Sequence, residues 1–348
     1  MHLIIRTIVI SCLFWTGITA HAQTKETISI IGVGDIMMGT NYPNASYLPA
    51  NNGKDLFSDV ADFLQGDIVF GNLEGCILNS GGTPKSCKDP NSCYVFRMPE
   101  YLADNLVSAG FNLMNLANNH ANDFGPTGLQ NTYKTLNRLD IKSAGLKETC
   151  EYVVFEKDGI RYGFCGFAPN NAAVSINNYQ KVREIITHLD SVSDIIIVSF
   201  HGGAEGSSHN RVTRKREIFL GEDRGNVYEL AHLCIDLGAD VVLGHGPHVP
   251  RAIELYKDRI IAYSLGNFCT PYRMNLRGNC GYAPVLKVNI NRKGEFVSGE
   301  IFSALQSDPT GPKKDKNYTA AKEIARLTAL DFPETPLNIS VEGKITKK

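Results

Sequence analysis

The sequence lacks an excess of charge of either sign. Its 348 residues include 35 Lys and Arg against 36 Asp and Glu, which gives a formal net charge of -1. A chain without a basic surplus has no overall positive field to hold a phosphate backbone, so the composition argues against a nucleic-acid-binding protein. The remaining balance, 43% hydrophobic and 20% charged residues, is typical of an ordinary globular protein.

Long apolar runs are missing beyond the N-terminus, which excludes a multi-pass transporter. Residues 7–19 are mostly apolar, follow a short and mildly positive start, and precede Ala20-His21-Ala22, a small-x-small site of the kind that signal peptidase accepts. The run is shorter than the roughly 20 residues that span a bilayer comfortably. We therefore predict a signal peptide at 1–22 and export to the periplasm or cell envelope, with retention as a membrane anchor if the signal is not cleaved.

No two cysteines have the CxxC spacing of zinc ribbons or thioredoxin-like sites. Of the nine cysteines only Cys12 lies in the predicted signal, and the even number that remains permits disulfides in an exported chain. Cys87 and Cys93 lie in a loop rich in Gly, Pro, Ser and Lys, and Cys269 and Cys280 bracket a second loop. We predict that these two pairs staple their loops.

Short apolar runs alternate with segments of helical periodicity. The runs, several of them rich in Val and Ile, are predicted to be strands covered on both faces: 27–33, 67–70, 112–116, 194–200 and 239–243. Helical patterns occupy 56–64, 99–109, 127–139, 180–189 and 226–237. This alternation favours a layered α/β fold.

Three predicted hairpins turn at Asp158-Gly159, Lys257-Asp258 and Lys293-Gly294, so we expect two mixed sheets rather than one fully parallel sheet. We assign residues 23–306 to one domain. Residues 307–348, where the Pro, Lys and Thr content rises, are predicted to be a weakly packed tail with one helix at 319–330.

Polar residues follow each of the five main strands. Because the carboxyl ends of strands in α/β sheets meet at one edge, these residues are predicted to share one crevice. They are Asp35, Glu74, Asn119 with His120 and Asp123, His201, and His245 with His248. Carboxylate, imidazole and amide groups without a thiolate suit one or two ions of Mn, Fe or Zn rather than a closed structural zinc site.

Each of these residues also has a structural interpretation. Asp35 alone would be a turn residue or helix cap more often than a ligand, and Asn119 could serve a loop with left-handed backbone. His201 alone would be an ordinary buried histidine more often than not. Their joint occurrence, and two histidines three residues apart in a Gly/Pro turn at His245 and His248, favours metal or phosphate binding.

Six separated motifs occur in order between about residues 28 and 268: GVGDIMMG (32–39), NLE (72–74), NLANNHANDFG (115–125), FHGG (200–203), GHGPHVP (244–250) and AYSLGNF (262–268). Their order resembles the signature of the CapA-type capsule and poly-γ-glutamate biosynthesis proteins, a family of the calcineurin-like metallophosphoesterase superfamily. The resemblance implies a four-layer α/β/β/α sandwich in which two mixed sheets are flanked by helices.

The resemblance also implies roles for the strand-end residues. The metal ligands would be Asp35, Glu74, Asn119, His201, His245 and His248. His120 would protonate a leaving group or steady a phosphate, and Asp123 would orient it. Superfamily phosphatases have Asp-x-His in the first motif, whereas Met37 stands at the histidine position here, so one ligand is absent. The bridging ligand would be Glu74, with Asp67 as the alternative.

Basic residues follow the fourth strand. Arg211, Arg214 and Arg216 could gather an anionic polymer, or could form a solvated helix face balanced by nearby acids. Asn267, in the sixth motif, is a further candidate for substrate contact.

Two functions fit these observations best. The first is an exported metal-dependent hydrolase of phosphoester or amide bonds that acts on an anionic envelope polymer or its precursor. The alternative is a non-catalytic scaffold in a capsule synthesis or export complex, with membrane components of a polymer synthase as partners.

Overall fold

A computed structural model describes residues 26–87 and 93–348. The predicted signal at 1–22 lies outside the described residues. Among the described residues, no helix is both long and apolar enough to cross a bilayer.

In chain order, the strands of the first half are β1 (Thr27–Ile36), β2 (Ile68–Leu73), β3 (Cys76–Ile77), β4 (Arg97–Met98), β5 (Leu113–Asn115), β6 (Lys142–Ala144), β7 (Tyr152–Lys157), β8 (Ile160–Ala168) and β9 (Val174–Ser175). The later strands are β10 (Ile195–His201), β11 (Ile218–Phe219), β12 (Glu222–Asp223), β13 (Val241–His245), β14 (Ile253–Tyr256), β15 (Arg259–Ala262), β16 (Asn267–Cys269), β17 (Val285–Asn291), β18 (Phe296–Phe302), β19 (Ala304–Leu305), β20 (Lys313–Lys314), β21 (Leu337–Ile339) and β22 (Lys344–Lys347). The α-helices are α1 (Asp104–Ser108), α2 (Gly125–Arg138), α3 (Tyr179–Val192), α4 (Val227–Asp236) and α5 (Thr319–Asp331).

Two mixed sheets form the centre of the fold, as predicted. The first has the order β21-β22-β18-β17-β1-β2-β5-β6, and β16 also pairs with β1. The second has the order β14-β15-β13-β10-β8-β7, with β9 paired to β8. In each sheet the inner strands are parallel, β1 with β2 and β10 with β13, and antiparallel hairpins complete the sheet.

The two sheets pack face to face. Ile30 and Phe70 of the first sheet share one apolar core with Ile197 and Leu243 of the second. Successive side chains of a strand point to opposite faces of the sheet. The residues that alternate with these face away from the other sheet and must be covered by a further layer. This geometry explains why these strands read as continuous apolar runs.

Helices cover both outer faces. Ile31 packs with Leu136 of α2, and Val198 packs with Ile186 of α3 and Leu230 of α4. Helices α3 and α4 each begin where an Asn side chain accepts a backbone N–H of the first turn, which is a common N-cap. The architecture is the mixed α/β sandwich with two sheets flanked by helices that the sequence predicted.

The C-terminal segment corrects one prediction. Residues 307–348 were expected to pack weakly, but β22 pairs with β18 in the first sheet, and α5 buries Ile324 and Leu327. The predicted helix is present. Its buried apolar residues belong to both the core between the two sheets and the outer core of the second sheet. The helix therefore covers one side of the sandwich.

Two further predictions are wrong. Residues 56–64 form no α-helix; they form tight turns with i to i+3 hydrogen bonds around Ser58–Val60, because burial of apolar residues in so short a segment does not require a regular helix. The Cys87–Cys93 disulfide is present, but Cys269 and Cys280 are free and buried. Backbone hydrogen bonding and apolar packing hold the second loop instead.

Candidate functional site

The carboxyl ends of parallel strands bring distant residues together. Asp35 at the end of β1 lies in register with Asn72 of β2 on one side and Asn267 of β16 on the other. In the second sheet, His201 of β10 is the register partner of His245 of β13. The two sheets therefore present acids from one layer and imidazoles from the other at the same edge.

An acid and histidine cluster lies at this edge. The Asp35 Oδ2 atom is 2.9 Å from Nδ1 of His248, and the Asp35 Oδ1 atom is 3.3 Å from Nδ1 of His245. The Glu74 Oε1 atom is 3.6 Å from Nε2 of His248. Ligand atoms of Asp35, Glu74 and His248 all lie within 4.8 Å of one another, which is the spacing of groups that surround one cation.

Several buried ligand atoms of the cluster have no hydrogen-bond partner. They are Oε1 of Glu74, Oδ1 of Asn119, both ring nitrogens of His201, and Nε2 of His245. Burying such polar atoms without a partner costs about 1–3 kcal/mol each, so native structures rarely contain several together. Imidazole nitrogens and carboxylate and amide oxygens are ligands of Mn, Fe and Zn, and the residues present therefore fit a divalent cation.

The charges of the cluster are strongly coupled. Burial raises the pKa of Asp35, but the imidazoles of His245 and His248 outweigh burial and hold that pKa well below its usual value. Burial and the charge of Asp35 raise the pKa of Glu74 well above its usual value. Burial lowers the pKa of His248, yet the charges of Glu74 and Asp35 raise it to about 10. A protonated His248 thus supplies positive charge that a bound cation would replace.

His201 differs from His248. Burial, and then the positive charge of Arg224, lower the pKa of His201 well below its usual range. The neutral ring has a free lone pair, which is the form that coordinates a metal. Its ring centroid lies 6.2 Å from that of His248.

The turn that carries His245 and His248 requires its glycine. Gly246 has a φ of +113°, and a Cβ atom there would lie 2.8 Å from the backbone N and O of Gly202. His248 itself has a φ of +58°, which is uncommon for a residue with a side chain. Close approach of the turns after β10 and β13 thus places His248 beside Asp35.

An amide network fixes the acids, and sequence reasoning assigned it no role. Asn72 Nδ2 donates to Asp35 Oδ1 at 2.8 Å. Its Oδ1 accepts from Asn115 Nδ2 at 2.9 Å and from Asn118 Nδ2 at 3.1 Å. All three asparagines are buried. Each belongs to one of the recognised motifs, which is the signal that could have identified the network.

His120 and Asp123 pair as predicted from the motif. The Nδ1 atom of His120 lies 2.9 Å from Oδ2 of Asp123, which also accepts the Phe96 backbone N–H at 2.6 Å. Burial lowers the pKa of His120, and the charge of Asp123 opposes part of that effect. Lys85 Nζ lies 2.5 Å from Asp123 Oδ1 and 3.3 Å from His120 Nδ1. Sequence reasoning missed Lys85, because it lies in an irregular loop outside every motif.

A crevice of about 310 Å³ opens beside this pair, lined by Lys85, Asn119, His120, Glu205 and Arg224 among others. Arg224 is buried and forms ion pairs with Glu205 and Glu222, each at 2.9 Å. The crevice therefore joins the predicted ligand Asn119 to the predicted proton carrier His120.

The predicted substrate arginines lie elsewhere. Arg211 and Arg214 pair with Asp331 and Glu334 beside the end of α5, and Arg216 pairs with Asp223 at 2.9 Å. Their segment is irregular with a short hairpin, so the alternative of a helix face is wrong, although a nearby acid does balance Arg216 as that alternative expected. The structure does not bring them into contact with the cluster, and substrate binding by them stays a prediction.

Asn267 and Asp67 are also placed differently from expectation. Asn267 is fully buried, and its Nδ2 donates to the backbone oxygens of His248 at 3.2 Å and Cys280 at 3.0 Å. It therefore holds the His248 turn, and substrate contact by Asn267 stays a prediction. Asp67 lies at the start of β2, the opposite end from Glu74, and accepts the Ser29 N–H at 2.7 Å. It is not the bridging ligand considered as an alternative.

Comparisons with known proteins agree with the fold and the motifs. The model of the bacterial capsule synthesis protein PGA_cap family matches residues 29–272. The capsule biosynthesis protein CapA of Bacillus anthracis is 28% identical over 266 residues, which cover 71% of this chain and 60% of that protein. The PGA biosynthesis protein CapA of Bacillus subtilis (strain 168) is 26% identical over 275 residues, covering 73% of this chain and 67% of that protein.

A solved structure shares the fold. It is described as a novel phosphatase from Mycoplasma pneumoniae, with a TM-score of 0.50 at 16% identity, covering 81% of this chain and 95% of that chain. This likeness shows a shared fold alone. Together with the six ordered motifs and the match over residues 29–272, it leads to one conclusion: the chain belongs to the bacterial capsule synthesis protein family PGA_cap.

Proposed function

We propose that this protein is an exported metal-dependent hydrolase that cleaves phosphoester or amide bonds in an anionic envelope polymer or its precursor. The observation that carries the proposal is the set of buried ligand atoms without partners at the strand ends, on Glu74, Asn119, His201 and His245. Such a set is suited to hold a cation, because each buried polar atom that stays without a partner opposes folding.

The residues that would hold the cation are Asp35, Glu74, His248, His245 and His201, with Asn119 from the crevice side. A divalent cation bound there supplies Lewis acidity and lowers the pKa of a coordinated water toward neutrality.

The chain's own residues supply positioning and proton transfer. Asp123 and Lys85 both contact Nδ1 of His120, so Nε2 is the ring nitrogen left to face the substrate. Nε2 can pass a proton to the departing oxygen or nitrogen only when the ring is protonated, and the charge of Asp123 favours that form. Asp123 is fixed by the Phe96 N–H, so the imidazole is oriented before substrate arrives. Asn72 holds Asp35 by its amide, which keeps the carboxylate turned toward His248.

The proposal that the substrate is an anionic polymer rests on the names of the relatives. Their names associate them with the biosynthesis of capsule and of PGA. The match covers 60% of the length of the first relative, so the substrates and partners of the longer protein are proposals for this chain. Membrane components of a polymer synthase are the partners that this biology implies.

The test uses the full chain loaded separately with Mn²⁺, Fe²⁺ and Zn²⁺. We expect at least one metal to support hydrolysis of a generic aryl phosphodiester or shortening of poly-γ-glutamate, and Asp35→Asn to abolish it. A matched control is Asp194→Asn, which changes an aspartate at the opposite end of the second sheet.

Binding of metal without any turnover would contradict the hydrolase. That outcome would favour the non-catalytic scaffold, which the buried Met37 at a ligand position of related phosphatases also favours. A scaffold would retain the site and bind its partners without cleaving them.

A further inference from the structure

A second cleft lies next to the crevice. It has a volume of about 530 Å³ and is lined by Arg273, Arg277, Asn275, Ser307 and Asp308 among others. Tyr94 lines both this cleft and the crevice that contains His120. The two therefore form one continuous surface with Tyr94 at the junction.

The two arginines of this cleft differ from those near the strand-end site. Arg224 and Arg251 are buried and paired with glutamates. In the part of the chain that the structure describes, neither Arg273 nor Arg277 forms an ion pair with a carboxylate, although Asp308 lines the same cleft. Arg277 is exposed. Their charges are consequently available to a ligand.

Arg273 is held in place by aromatic rings rather than by an acid. Its guanidinium carbon lies 5.2 Å from the ring centroid of Tyr47 and 5.6 Å from that of Tyr94. Among residues 26–87 and 93–348, its nitrogens donate only to the backbone oxygens of Tyr42 and Cys93, each at 3.4 Å. Stacking on aromatic rings orients a guanidinium and leaves its N–H edge free for an anion.

The loop that carries both arginines is tied to the metal-site residues. It follows β16, whose Asn267 lies in register with Asp35. The Asn267 side chain also bonds the backbone oxygen of Cys280 at the far end of the loop, and Asn279 bonds the backbone oxygen of Ser207 at 3.2 Å. These bonds fix the arginines relative to the strand-end site.

We propose that Arg273 and Arg277 form a second anion-binding subsite, which holds one charged group of an extended chain while another part of that chain lies at the strand-end site. The inference rests on the proposed function in that the chain is its substrate. The ligand is a polymer with repeating carboxylates or phosphates, because both fit the planar fork of a guanidinium. A short substrate with one charged group would occupy the crevice alone.

The test is fluorescence anisotropy on the full chain with two labelled probes of matched length, an oligomer of γ-linked glutamate and a polyphosphate. Arg277→Gln is the main variant, because an exposed side chain can be replaced without disturbing the core. We expect it to weaken binding of at least one probe about tenfold at low salt, and Arg273→Gln to do the same. Asp308→Asn removes a negative charge that repels the anionic probes, and it should tighten binding about two- to fivefold.

The matched control is Arg292→Gln, which removes the same charge from the exposed turn between β17 and β18. It should leave binding unchanged. Weakening for only one probe would identify the charged group as carboxylate or phosphate and would support the subsite. Equal weakening by all three arginine variants, no weakening by Arg277→Gln, or failure of the wild type to bind either probe would overturn it.

Failure of the anion-binding subsite and failure of the proposed hydrolase give different results. If the metal-loaded wild type cleaves neither the aryl phosphodiester nor the oligomer, the hydrolase is refuted. The subsite stands in that case if Arg277→Gln still weakens binding and Arg292→Gln does not.

Discussion

The two ends of the sheets both carry aspartates, but these serve different purposes. At the amino ends, three aspartates each accept a backbone N–H from the neighbouring strand: Asp67 from Ser29 at 2.7 Å, and Asp194 from Arg161 and Asp240 from Ile196 at 2.8 Å. Two of the three also pair with an arginine. These carboxylates complete the hydrogen bonding of the sheet.

At the carboxyl ends the same residue type lies among other ligand groups. Asp35 contacts His245 and His248, and the adjacent Glu74, His201 and Asn119 have atoms without partners. An acid next to a strand is therefore not in itself a sign of function. The difference is whether backbone N–H groups satisfy the carboxylate oxygens, and substitutions at the two ends should therefore have different effects.

The largest effect is expected at the carboxyl ends. His245→Ala should lower affinity for Mn²⁺ by more than about 100-fold. This is a larger loss than the roughly 10- to 100-fold typical when a residue that only hydrogen-bonds to a metal ligand is replaced. A cation at 100 times its Kd stabilises the folded wild type by about 2.7 kcal/mol, and the variant should lose this gain. Chemical denaturation with and without Mn²⁺ measures it. An unchanged stabilisation in the variant would remove His245 from the site.

The second largest effect is expected at the amino ends of the strands, where substitutions should lower stability and leave metal binding unchanged. Asp240→Ala leaves the Ile196 N–H and Nε of Arg259 without their acceptor, so the free energy of unfolding should fall by about 2–3 kcal/mol. Metal affinity should stay at the wild-type value. Asp194→Ala, at a more exposed position, should cost less than about 1.5 kcal/mol. Loss of metal from Asp240→Ala would erase the distinction between the two ends.

Asp123 shares features of both ends, because it accepts a backbone N–H from Phe96 and also contacts the ring of His120. We propose above that this contact orients the ring. Asp123→Asn keeps an oxygen for Phe96 but removes the charge beside the imidazole. We expect kcat to fall about tenfold, with metal content unchanged. Lys85→Met serves as the comparison, because it breaks the same ion pair and leaves the carboxylate in place. Equal activity of Asp123→Asn and the wild type would limit Asp123 to a structural role.

The smallest effect is a pH dependence at the amino ends. Burial raises the pKa of Asp240 to about 6 from a value near 3.8 in the unfolded chain. The folded state binds more protons between these values, so the stability that Asp240 contributes is greatest below pH 3.8 and declines as the pH rises through 6. The destabilisation by Asp240→Ala should therefore shrink by about 1–2 kcal/mol between pH 4.5 and 7.5. Denaturation at several pH values measures it, and a constant difference would contradict the raised pKa.

Much of the fold could be predicted from the sequence, because strands that are covered on both faces appear in it as short continuous apolar runs. An apolar run such as 194–200 can be covered on both faces only inside a layered sheet. This run forms β10, a central strand of the second sheet. The three hairpin turns were also found. The C-terminal segment was misjudged, because β22 is short and carries charged residues, and only its pairing with β18 reveals that it belongs to a sheet.

The site could be predicted only as far as its motifs extend. Asp35, Glu74, His245 and His248 come together, as their positions at strand ends suggested. Lys85 could not be found, since a loop lysine has no periodicity or spacing to mark it. The pairing of Arg211 and Arg214 with residues more than 100 positions away was equally hidden, because a run of charges does not reveal its tertiary partners.

The most direct measurement is the metal content of the purified full chain by elemental analysis, made in parallel on the His245→Ala and Asp240→Ala variants. We expect one or two Mn, Fe or Zn ions per chain in the wild type and in Asp240→Ala, and a loss of metal in His245→Ala. A wild type that binds none of these metals, or a His245→Ala variant that retains them in full, would contradict this expectation.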